Sequence, residues 1–152
     1  MQSRYLVCGL ALLGLMLSTI GTAWAADDGI ADIKTVEPDA AIIIKGFEEV
    51  AAPGDPVTEN DVITTGPTGS VGMTFTDHSR ISLGPNSEFR VSEYLFAPDR
   101  STYSFVSNLS KGTMEYASGL VGKLAPETAR VETPAGTIGI RGTRFLVRIA
   151  DE

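Results

Sequence analysis

The chain's only histidine, His78, stands between Asp77 and Ser79. Acid, imidazole and hydroxyl are the side chains of nucleophilic acyl transfer, in which His takes the Ser proton while Asp orients the ring. Three consecutive residues in one tight turn cannot converge in that way, because the constellation is defined by geometry. His78 is therefore read as a turn residue, with an exposed ligand contact as the alternative. Lys34, Lys45, Lys111 and Lys123 are the only lysines, and none follows a serine at the S-x-x-K spacing. No G-x-x-x-x-G-K phosphate loop is present. One Cys and one His exclude a four-cysteine zinc site and an H-E-x-x-H helix. Asp55, Glu59, Asn60 and Asp61 offer hard oxygens suited to calcium, but not at EF-hand spacing. Asp55, Asp61 and Asp77 read better as turn residues that bond their own backbone. The expectation is a protein that is not an enzyme, with no catalytic residues, no cofactor and no metal.

What would position such residues is a β domain behind a leader. The chain has 152 residues, room for one ordinary domain. Arg4, the apolar run Leu6 to Leu17 and Ala23-Trp24-Ala25 have the three-part pattern of a secretory signal peptide. The only Cys and the only Trp lie inside it. Cleavage after Ala25 is expected, with the product periplasmic or secreted and touching a membrane only if the leader stays. Residues 26–40 read as an acidic segment, either partly disordered or adding one edge strand, and residues 41–150 as the β domain. Charge is uneven: residues 27–66 carry ten acids against Lys34 and Lys45, while residues 67–152 carry nine of each sign. That balance supplies no basic footprint for nucleic acid.

Period-two alternation dominates. Val71, Met73 and Phe75 alternate with polar or small residues, as do Phe89, Val91 and Leu95, Tyr103 to Leu109, and Phe145, Val147 and Ile149. Ile42-Ile43-Ile44 suits a strand buried on both faces, and Met114 with Tyr116 marks a separate short strand. Tyr94 and Phe96 fall on the opposite face to Phe89, as an exposed patch or packed under a loop. Ser118 to Leu124 is the one short stretch of helical character. Pro and Gly turns separate the runs. The expected fold is all-β: an antiparallel sandwich, jelly-roll-like, or a β-roll. One register follows from the pattern. Pairing Phe75 with Ile81 and Met73 with Leu83 keeps one apolar face and needs a three-residue loop around Asp77, His78 and Ser79.

Three blocks recur in order: Gly54-Asp55 with Asp61 to Gly66; Ser70 to Ser79 with Ile81 and Leu83; and Val131 to Phe145, which contains T-P-x-x-x-I-G-I-R-G-T. Together, over about residues 45–149, they resemble the FecR protein domain of bacterial envelope proteins. The third block, with Thr133, Pro134, Gly139, Arg141, Gly142 and Thr143, is the most specific. Where the family usually has Asp-Gly-Ser, this chain has Asp77-His78-Ser79. His tolerates the left-handed conformation better than most residues other than Gly, so the turn is expected to survive. The resemblance implies an exported sensing or protein-interaction module in envelope signalling. Its partner would be a protein or a cell-wall-associated ligand, and a structural envelope scaffold is the alternative. The best-known members join this domain to a membrane span and a cytoplasmic segment that meets a sigma factor. About three residues precede the apolar run here, so direct sigma-factor contact is not expected. Arg141 has two readings, a guanidinium lock on its own Gly-rich turn or a contact for an anion or partner. Arg144, Arg148 and Arg130 could make a small basic patch, partly offset by Glu132.

Overall fold

A computed structural model describes residues 29–142 and 144–149. The leader reading and Thr143 lie outside the described residues. Strands in chain order are β1 (Ala31–Glu37), β2 (Ala40–Ile44), β3 (Phe47–Val50), β4 (Pro56–Val57), β5 (Val62–Thr65), β6 (Ser70–Phe75), β7 (Arg80–Leu83), β8 (Glu88–Ala97) and β9 (Thr102–Ala117). One helical turn, α1 (Val121–Leu124), leads to β10 (Ala129–Thr133), β11 (Gly136–Gly139) and β12 (Arg144–Ile149).

The fold is all-β, two sheets sharing one long strand. One sheet runs β3-β2-β5-β8-β9-β10-β11 and the other β12-β9-β7-β6-β1-β4. Met114 and Tyr116, expected on a strand of their own, belong to the second half of β9. The strand changes sheets at Gly112, whose φ is +87°. A Cβ there would overlap Ser87, so the bend needs glycine on both grounds. Every pairing is antiparallel except β9 with β10, which α1 and its flanking turns connect in parallel. The acidic N-terminal segment supplies β1, paired to β6 on one side and to β4 on the other.

Alternation buries one face of each sheet, and the two faces close on each other. Phe75 of one sheet meets Phe105 of the other edge-on, ring centroids 5.1 Å apart, and Tyr94 at 5.6 Å. Ile33, Met73, Ile81, Leu83, Phe89, Leu109, Met114 and Tyr116 fill the same core. Each side chain of this size contributes about 1.5–3 kcal/mol when fully buried.

Three local expectations need correction. The β6–β7 hairpin has the expected odd, three-residue loop, but it is Thr76-Asp77-His78. Met73 therefore pairs with Ile81 and Val71 with Leu83. Phe75 N–H donates to Ser79 O and His78 N–H to Phe75 O, a tight turn followed by one left-handed residue. Second, β8 bulges between Val91 and Glu93. The extra residue reverses the alternation, so Tyr94 enters the core and Leu95 is exposed. Third, Ile42 is buried but Ile43 and Ile44 only half so, because β2 has a layer over one face alone.

Candidate functional site

The residues singled out by sequence fall into two places with opposite character. Asp77 is fully buried. Its Oδ1 accepts from Ser79 N–H at 2.9 Å, and its Oδ2 accepts from Ser79 Oγ at 2.7 Å and Val121 N–H at 3.0 Å. Its carbonyl accepts from Leu120 N–H at 2.8 Å, and its own N–H donates to Tyr94 Oη at 2.9 Å. Ser79 Oγ in turn accepts from Gly119 N–H at 3.0 Å and lies 3.2 Å from Tyr116 Oη. The β6–β7 turn is thus clamped onto the segment that enters α1. Gly119 has no room for a side chain, since a Cβ would strike Ser79 N and Asp77 O.

His78 is exposed while Asp77 and Ser79 bond to each other beneath it. Its φ is +65°, the left-handed position that Gly would occupy without cost. The network also holds two phenols, Tyr94 and Tyr116, which the alternation pattern placed on strands without bringing them to this turn. Burial raises the pKa of Tyr94 and of Tyr116, and the nearby Asp77 carboxylate pushes both the same way. Only the bulge in β8 brings Tyr94 here, and nothing in strict alternation signals it.

Asp55 and Asp61 do serve turns: Asp55 Oδ2 accepts from Ala52 N–H, and Asp61 Oδ2 from the N–H and hydroxyl of Thr58. Glu59 Oε1 accepts from Tyr94 N–H. Arg130, Arg144 and Arg148 do not form one patch. Arg130 pairs with Glu132 on β10 at 3.2 Å, while Arg144 pairs with Glu115 on the other sheet.

The third block runs from buried Val131 to a largely exposed stretch between Pro134 and Gly142. β10 and β11 form a hairpin closed by Pro134-Ala135, with Thr133 Oγ1 donating to Gly136 O at 2.7 Å. Ile140 is buried, and its N–H donates to Ala129 O. Gly139, Arg141 and Gly142 around it are exposed. Arg141 makes no side-chain hydrogen bond or ion pair among the described residues, so no guanidinium lock is seen there. Pro126, Glu127, Gly139, Ile140 and Arg141 line a shallow cavity at this end of β11.

The family model described as FecR protein matches residues 61–152. The chain belongs to the FecR protein family. No curated protein and no solved structure matches it. The FecR match takes in the Asp77 clamp and the Arg141 segment, and it leaves Gly54-Asp55 outside. Strands β1 to β4 precede the match, yet they complete both sheets of this FecR domain. No helix among the described residues is long and apolar enough to cross a membrane.

Proposed function

We propose that this FecR-family chain is an exported, non-enzymatic binding module of the bacterial envelope. It contacts another protein or a cell-wall-associated ligand in signalling. The observation that carries this reading is the contrast between the two motif regions. The Asp77 turn is consumed by internal hydrogen bonds. The Arg141 segment spends only Ile140 on the core and leaves a guanidinium and two glycines outside. An exposed five-donor guanidinium fork suits recognition of a carboxylate or another anion. Export is supported by the leader pattern in residues 1–25.

A photo-crosslinking residue at position 141, in cells, tests the contact. An adduct that forms at 141 and not at Lys34 on β1 is expected. Equal labelling at both positions, or none at either, would remove the reading. Export is tested separately by fractionation, with mass spectrometry expected to find a periplasmic chain beginning at Ala26. A full-length chain in the cytoplasm would overturn it.

A further inference from the structure

Gly139 lacks an internal reason to be glycine. Its φ is outside the left-handed range, and a Cβ on it would meet nothing within 4 Å among the described residues. Every other described glycine except Gly84 has a positive φ or a neighbour closer than 3.4 Å. Glycine weakens a strand and often marks a place where another backbone approaches. β11 pairs only with β10, so its outer edge is open among the described residues.

The opposite edge of the same sheet is also open among the described residues. β3 pairs only with β2, and it leaves Phe47 and Val50 75% and 86% exposed beside Glu48 and Glu49. By contrast, the β4 edge of the second sheet is two residues long and begins with Pro56, the usual means of blunting an edge.

We infer that β3 of one copy adds to β11 of the next, extending the seven-strand sheet from molecule to molecule. This rests on the reading of the Arg141 end as an interaction surface, and it names a second copy of this chain as the occupant. Length, direction and hydrogen-bonding phase agree. Both edge strands are four residues long. The strand directions within the sheet make β3 and β11 opposed, so a translated copy pairs in the antiparallel sense. Both strands follow two-residue loops, Lys45-Gly46 and Pro134-Ala135, whose flanking pairs are hydrogen-bonded inward. Glu48 and Val50 therefore turn their N–H and C=O groups outward on β3, as Thr137 and Gly139 do on β11. Pairing Glu48 with Gly139 and Val50 with Thr137 matches these groups and keeps the side chains of Glu48, Val50 and Thr137 on the sheet face away from the core.

That register carries charge complementarity. Glu48 of the next copy lies one diagonal from Arg141, within reach of its long side chain. Phe47 of the next copy falls across from Ile140, at the cavity beside Pro126. The contact is heterologous, so copies add head to tail.

Disulfide trapping tests it. Cys8 is the chain's one thiol, so a Cys8→Ser background reads only introduced pairs. Glu48→Cys combined with Gly139→Cys should give a ladder of oxidised multimers, and each alone nothing above a dimer. Val50→Cys with Thr137→Cys is the second pair, should Gly139→Cys not fold. In that second background, Arg141→Glu or Glu48→Arg should weaken the ladder several-fold, and the two together should restore it. Folded double-cysteine variants without a ladder would overturn the inference. So would an equal ladder from Glu48→Cys with Arg148→Cys on β12. A foreign adduct at position 141 without any ladder sinks self-assembly but leaves the binding reading. Neither adduct nor ladder sinks both.

Discussion

Asp77 is a buried carboxylate whose two oxygens accept from Ser79 and Val121. Removing one partner of such a network strands the others, and that asymmetry exceeds the net value of any one bond. Asp77→Ala should lose at least about 3 kcal/mol of unfolding free energy, read from a urea midpoint. A loss below about 1 kcal/mol would mean the clamp is not structural. His78 next to it should behave in the opposite way. At φ +65° a residue other than Gly is held against its preference by about 1–2 kcal/mol, while Gly costs unfolded-chain entropy of about 0.4–1 kcal/mol. His78→Gly should therefore be neutral or up to about 1 kcal/mol more stable, and His78→Val clearly less stable. A loss for His78→Gly would instead assign the imidazole a contact of its own. The sequence carried the turn at Asp77 but not its role. Side-chain type revealed a turn former, while burial and the reach to Val121 depend on where a segment more than forty residues later returns.

At the scale of elements, alternation located most strands, because a sheet with one buried face imposes period two on its sequence. It failed where the backbone departs from period two. The β8 bulge moved Tyr94 inward, and the turn of β6–β7 began one residue earlier than the apolar pattern implied. The two-sheet path of β9 was equally hidden, since a bend at Gly112 reads as a strand break. The glycines separate these cases experimentally. Gly112→Ala forces a Cβ onto Ser87, and Gly119→Ala forces one onto the Asp77–Ser79 turn. Each should cost more than about 2 kcal/mol by denaturant unfolding, the range of overpacking and backbone strain. Gly139→Ala meets open space and should be neutral or gain about 0.5–1 kcal/mol. Similar losses at all three positions would put Gly139 among the structural glycines and remove the case for an approaching backbone. Of the candidate site, the Arg141 segment was legible as a motif, but its exposure was not. Three glycines around one arginine fit a closed turn and an open one equally well.

For the whole molecule, the hydroxyl groups of Tyr94 and Tyr116 link the two sheets to one polar cluster, and both phenols are held above their ordinary pKa by burial. In the unfolded chain each ionises near pH 10. Below that, folded and unfolded forms bind the same phenolic protons, and these groups give stability no slope. As pH rises through about 10, the unfolded chain releases its protons while the folded chain keeps them, so stability falls. The fall continues until the raised folded values are passed. Each phenol that remains protonated only in the fold adds about 1.4 kcal/mol per pH unit to the slope above pH 10. Tyr94→Phe should make the alkaline slope shallower by about that amount, whatever it does to stability at neutral pH. Urea unfolding at successive pH values measures both. The absorbance of phenolate supplies the second readout, since the Tyr94 signal should rise only with unfolding. An unchanged slope in Tyr94→Phe, or phenolate from that residue in a chain that is still folded, would place its hydroxyl in contact with water rather than sealed between the sheets.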